Sequence, residues 1–132
     1  MTSLRTVQRY SEKPPLRRAA LAFRAAHAAF AVLQLSALGH VWICALTGRR
    51  DRALAASVGF LLVEGGALIV GRGNCPMGPF QRRLGDPVPL FELVLPPRAA
   101  KAAVPVLAVI AVAGIAALVI RSTADQRQKR TG

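Results

Sequence analysis

Aromatic side chains make up only 5% of this sequence, although apolar residues make up 53% of it. A soluble core in a chain of 132 residues would draw on more aromatic bulk. Here the apolar mass is Ala, Leu, Val and Gly, gathered in long runs. Acids are scarce as well: six Asp and Glu stand against eighteen Lys and Arg, for a formal charge of +12. Such an excess can serve nucleic acid, but no aromatic-basic platform or nucleic-acid motif accompanies it, so no nucleic-acid partner is expected. The basic residues sit mainly between the apolar runs, a placement that attracts anionic lipid headgroups at a membrane surface.

Cysteine and histidine are rarer still, with two of each. Cys44 and Cys75 form no CxxC and no metal-ligand spacing, so two separate reduced thiols are expected. Gly71-x-Gly73 lacks the preceding strand and the third glycine of a nucleotide-binding fingerprint. On these grounds no catalytic residue, no metal and no cofactor is assigned.

What the sequence does contain is three runs long enough for a bilayer. A helix is expected from about Leu16 to Thr47, opened by Pro14-Pro15 because the first helical turn needs no proline N–H. Its start, Leu16 to Arg24, is basic and amphipathic. Its body, Ala25 to Leu46, is long enough to cross the hydrocarbon at roughly 1.5 Å per residue. His27, Gln34, Ser36 and His40 make it more than a lipid-facing anchor, and Trp42 near its far end suits the interface. The long polar lead and the lack of a small-x-small cleavage site after the run favour an uncleaved anchor over a signal peptide. Thr47 to Arg52 reads as a tight loop, with Gly48 capping the first helix and Asp51 the start of the second. So short a connection makes the two helices antiparallel neighbours.

The second span is Ala53 to Gly71, where Ala67 and Gly71 form a small-xxx-small pair that allows close helix approach. Residues 72–97 hold Pro76, Pro79, Pro87, Pro89, Pro96 and Pro97, and no continuous helix passes through them. One short interfacial turn is expected at Phe80 to Leu84. The apolar stretch Val88 to Leu95 is too short to span, and is expected in the interface or back against the bundle. Pro96-Pro97-Arg98 opens the last helix, whose span from Ala102 to Ile120 has no charge. Pro105 suggests a mild kink, and Ala113 with Ala117 a second close-packing pair.

The expected fold is therefore all-α: an integral membrane protein with three transmembrane helices, near 19–47, 53–71 and 100–121. A Pro/Gly-rich interfacial loop occupies 72–97. A basic flexible N-terminus (1–15) and a basic flexible tail (122–132) bound the domain. Three spans put the N-terminus and the 72–101 loop on one side, with eleven basic residues against seven on the other. That bias places the N-terminus in the cytoplasm, in the cell (plasma) membrane. Pro14-Pro15-Leu16-Arg17-Arg18 and Pro96-Pro97-Arg98 both set basic residues at a helix start, where they oppose the macrodipole. Membrane potential and anionic lipid supply the cause.

Glu64 is the sharpest candidate for chemistry, because an ionised carboxylate near the centre of a span is costly. In an antiparallel hairpin Gln34 and Glu64 share a depth, roughly 3 Å from the centre, with His40 roughly 6 Å beyond the centre the other way. Gln34–Glu64 is thus the expected pair, with His40 reaching it only through a water or a third residue. The pair reads either as a hydrogen bond that holds the hairpin or as a proton- or cation-handling site. His27 and His40 lie roughly 20 Å apart along one helix, a separation that suits two haems only if a homodimer supplied the opposite ligands. Cys75-Pro76 reads mainly as a turn that ends the second helix. As a thiol site it would use Arg72, Arg82 and Arg83 for charge and His27, the one base on that side.

Gly73-Asn74-Cys75-Pro76-Met77, followed by Arg82-Arg83-Leu84, resembles a segment of small uncharacterised bacterial multi-pass membrane proteins. That segment reads Gly-x-Cys-Pro-Leu with a following Leu-Arg. The resemblance implies membrane topology and no activity. It departs where the pattern carries Thr and an acid, since Gly78 and Gln81 stand here. The Ala- and Arg-heavy composition also points to a GC-rich bacterial genome. The leading expectation is a non-enzymatic accessory or assembly component, partnered by another membrane protein or by its own copies. The alternatives are a homo-oligomeric proton- or cation-coupled transporter using Glu64, and a membrane redox protein.

Overall fold

A computed structural model describes residues 17–132; the expected flexible segment 1–15 lies outside them. Among the described residues the chain is all-helical, with no strand. Helix α1 runs Arg18–Thr47, α2 Arg52–Val70, α3 Met77–Arg83 and α4 Pro97–Thr131, with a 3-10 turn at Leu90–Leu93 between α3 and α4. Three of these helices, α1, α2 and α4, are long and apolar enough to cross a membrane.

Local chemistry sets the ends. Helix α1 is alanine-rich and free of proline, which favours an unbroken helix. It stops at Gly48, whose left-handed φ of 77° turns its N–H back to the Cys44 carbonyl. Asp51 then caps α2, its Oδ1 accepting the Leu54 N–H at 2.8 Å. Helix α2 ends in a tight reversal in which Gly71 and Gly73 donate to the Ala67 and Leu68 carbonyls. A Cβ at Gly71 would stand 2.5 Å from the Asn74 oxygen. Gly71 therefore serves the turn and not the helix–helix approach expected of the Ala67–Gly71 pair.

Helix α1 is the central element, packed against both α2 and α4, while α2 and α4 touch less. The seam is apolar: Ala37, Leu38, Val41, Cys44 and Ala45 from α1, Leu54 and Leu61 from α2, and Leu118 from α4. Phe30 and Phe60 meet edge to face at 5.2 Å, a contact worth about 0.5–1.5 kcal/mol beyond its area. The α4 close approach is displaced one residue from the expected Ala113–Ala117 pair. Ala113 is exposed, and Gly114 is buried under Trp42. The indole, expected to sit at the interface, turns inward and donates to the Ile110 carbonyl at 3.2 Å.

Arginines stitch the short loop to α4. Arg121 donates to the Ala45 and Leu46 carbonyls at 3.1 and 2.8 Å, and Arg50 donates to Leu118 and Ser122. The Arg121 charge sits where α1 ends in free carbonyls, so it also complements the macrodipole. Helix α4 does not stop near 121, where the expected flexible tail begins. Residues 122–131 are rich in helix formers, and Lys129 and Arg130 place positive charge in the last turn. Most large apolar side chains of the outer faces stay exposed, Val63, Ile69, Val70 and Val109 among them. A face of this kind is satisfied by lipid.

Candidate functional site

The hydrogen-bonded side-chain networks of the bundle lie at its two ends. At one end the start of α1 meets the 71–96 connection. Gly85, with φ of 86°, turns the chain out of α3 and sets up Asp86. Asp86 precedes Pro87 and accepts the Val88 N–H in an Asx turn at 3.3 Å. Its side chain is sealed from solvent, and the Arg24 guanidinium grips both its oxygens through Nε and Nη2. Gln81, also buried, donates to Asp86 Oδ2 at 3.0 Å and to the Val88 carbonyl at 2.7 Å. Arg24 above all, with Gln81 and the Val88 N–H behind it, holds the Asp86 carboxyl below the usual carboxylate range against the opposing effect of burial.

This network reaches Cys75. Both Gln81 amide hydrogens are committed to Asp86 and Val88, so its Oε1 is the acceptor for His27 Nδ1–H at 3.3 Å. That assignment leaves His27 Nε2 with its lone pair toward Cys75 Sγ, 3.8 Å away. The half-buried thiol thus has a proton acceptor, positioned through Gln81 by a buried ion pair. The arginines expected to serve it are exposed, and Arg83 lies over the Phe80 ring at 5.9 Å. Cys75 and Pro76 also make the expected turn, with Pro76 immediately preceding α3 and Gly78 N–H donating to the Cys75 carbonyl.

Compared with known proteins, the chain matches no family model, no curated protein and no solved structure.

At the other end His40, Cys44 and Asp51 come together. His40 and Cys44 are four residues apart on α1 and so share a face. Asp51 folds back over them from the start of α2. His40 Nε2 lies 3.1 Å from Asp51 Oδ1 and 3.6 Å from Cys44 Sγ. The bond to His40, supported by the Leu54 N–H, lowers the Asp51 carboxyl from its usual range. The two histidines and two cysteines of the chain are thereby sorted into one His–Cys contact at each end. Each imidazole contacts a cysteine at its own end of the bundle.

The mid-span pair differs from expectation. Among the described residues no hydrogen bond joins Gln34 to Glu64, and His40 points to Asp51 and Cys44 instead. The seam between α1 and α2 is closed by apolar side chains and the Phe30–Phe60 contact, which leaves the two polar groups half-exposed at its flank. No buried side-chain nitrogen or oxygen among the described residues lacks a partner, so the Glu64 carboxyl is reached from outside the bundle.

Four residues of the two end networks, Asp86, Gln81, Arg24 and Cys44, are not among the candidates the sequence offers. Asp86 was signalled by an Asp-Pro turn in a loop otherwise bare of acids up to Glu92. Gln81 and Arg24 had no local signal, because their roles arise only when α1 and the loop meet. Cys44 carried the clue of a His four residues before it.

Proposed function

We propose that the chain is a three-span membrane component that works inside an assembly, as an accessory or assembly subunit or as copies of itself. The observation that carries this is Glu64. It stands three residues past Leu61, the midpoint of α2, roughly 4–5 Å along the axis, and its half-exposed carboxyl makes no hydrogen bond or ion pair among the described residues. A polar group at that depth is satisfied across a helix interface, since lipid offers it nothing. Gln34, half-exposed on α1, supports the same reading. The chain sits in the plasma membrane with its N-terminus cytoplasmic, as the eleven-to-seven basic bias supports, among anionic lipid headgroups. The alanine- and arginine-rich composition supports a bacterial source. No enzymatic role is proposed.

A photocrosslinker in place of Leu68, one turn along the Glu64 face, tests this in native membranes. Adducts to a second polypeptide or to another copy are expected. Adducts to lipid alone, unchanged when Glu64 becomes Leu, would remove the proposal. The same carboxyl supports a second reading, coupled transport of protons or cations by a homo-oligomer. That reading gains if Glu64→Gln abolishes flux in vesicles while the assembly persists, and fails if flux survives.

A further inference from the structure

The His40–Cys44–Asp51 cluster has the shape of a cation site. A borderline-soft divalent ion of the zinc class takes nitrogen at about 2.0–2.1 Å, sulfur at about 2.3 Å and oxygen at about 2.0–2.2 Å, in a tetrahedron. Around such an ion, neighbouring nitrogen and oxygen ligands stand about 3.3 Å apart, and nitrogen and sulfur about 3.6 Å. His40 Nε2 lies 3.1 Å from Asp51 Oδ1 and 3.6 Å from Cys44 Sγ, and the three ligand atoms all fall within 4.8 Å of one another. Two edges of the tetrahedron are therefore already in place, and the third closes by a small movement of the Asp51 carboxylate.

The surroundings suit binding. Cys44 forms a fully buried inner wall, while the His40 and Asp51 side chains are 30% and 34% exposed and open the cluster outward. Asp51 Oδ1 is oriented by the Leu54 N–H at 2.8 Å, the kind of outer contact that fixes a ligating carboxylate. Arg49, 4.0 Å from Asp51 Oδ2, is the nearest opposing charge and is 70% exposed. A thiolate and a carboxylate together offset a dication.

We propose that His40, Cys44 and Asp51 bind one divalent cation of the zinc class at the α1–α2 loop end, with a fourth coordination position open. Binding forms metal bonds to His40 Nε2, Cys44 Sγ and an Asp51 oxygen. The thiol proton is released to solvent, and the imidazole proton resides on Nδ1. The open position is available to water or to a donor from another subunit. The ion would pin the loop between α1 and α2, and the site is independent of Glu64 and of the assembly argued from it.

Cobalt(II), a spectroscopic stand-in for zinc, tests the site on the full-length protein purified in detergent. One equivalent is expected to give a thiolate-to-cobalt absorption band and tetrahedral visible bands, both removed by added zinc. Asp51→Asn keeps a capping side chain but loses the carboxylate, and is expected to weaken cobalt binding about tenfold or more. Cys44→Ser is expected to abolish the thiolate band, and Cys75→Ser to leave it intact. In the wild-type protein, zinc should also protect Cys44 from alkylation in denaturant-loosened micelles and leave Cys75 reactive, a readout that needs no variant to fold. No band with wild-type protein, or a band that survives Cys44→Ser and is lost with Cys75→Ser, would overturn the proposal.

Discussion

Replacing Arg24 by Ala removes the guanidinium that grips both oxygens of the sealed Asp86 carboxylate. The Asp86 side chain is 0% exposed and Arg24 24%, so the pair lies mostly out of water. Breaking a buried pair from one side costs about 3–5 kcal/mol, because the remaining charge is left without its counter-ion. Asp86 keeps the Gln81 amide and the Val88 N–H, which sets the expected loss at the lower end, about 3 kcal/mol. Arg24→Lys retains the charge but cannot grip both oxygens, and should fall between Ala and wild type. Unfolding by denaturing detergent, followed by circular dichroism, measures the loss. A double-mutant cycle with Asp86→Asn isolates the coupling. Because Gln81 orients His27 and also holds Asp86, the Ala variant should expose Cys75 to alkylation faster as well. A loss within about 0.5 kcal/mol of wild type, as at an ordinary surface site, or strictly additive single variants, would mean that Arg24 and Asp86 are not coupled.

The Asp86 network, the Gly114–Trp42 contact and the Arg121 bonds to α1 each give a further test. The Asp86 carboxyl titrates below its unfolded value near 3.9, so its contribution is full above about pH 4 and lost as pH falls through the lower folded value. Acid unfolding of wild type should therefore be steeper below that point than that of Arg24→Ala, and identical slopes would contradict the pairing. A Cβ at Gly114 would lie 3.0–3.3 Å from the Trp42 ring. Gly114→Ala should be nearly neutral, since its gain in helix propensity of about 1 kcal/mol offsets the crowding. Gly114→Leu should cost on the order of 1–3 kcal/mol and shift the emission of the single tryptophan. Arg121→Ala should cost about 1.5–3 kcal/mol through the two α1 carbonyls it leaves without a charged donor, read as thermal stability in detergent.

The spans were legible because long uncharged runs have few other uses, and the caps because Gly48 and Asp51 carry their own local chemistry. The proline-rich connection was legible as a break, though not as the site it builds. Which face of each helix turns inward was not readable, because the runs are apolar all round. Hence Gly114 and not Ala113 receives Trp42, and Gln34 and Glu64 flank the seam without closing on each other. The end networks depend on contacts between residues far apart in sequence, Arg24 with Asp86 and His27 with Cys75. Cys44 and Asp51 show no metal-ligand spacing in the sequence, because spacing rules count within a motif and Asp51 reaches His40 and Cys44 only across a turn. Helix α4 outran its apolar stretch because Ala, Gln, Lys and Arg continue a helix without needing lipid.

In the proposed assembly, Glu64 is satisfied by a neighbouring subunit. The most direct test is to extract the protein from its own membranes in mild detergent and measure the mass of the particle and its composition, for wild type and Glu64→Leu. The expected particle is heavier than the 14.0 kDa chain after correction for detergent, holds further copies or a stoichiometric second protein, and is reduced or lost in the variant. A wild-type monomer indistinguishable from Glu64→Leu would contradict it.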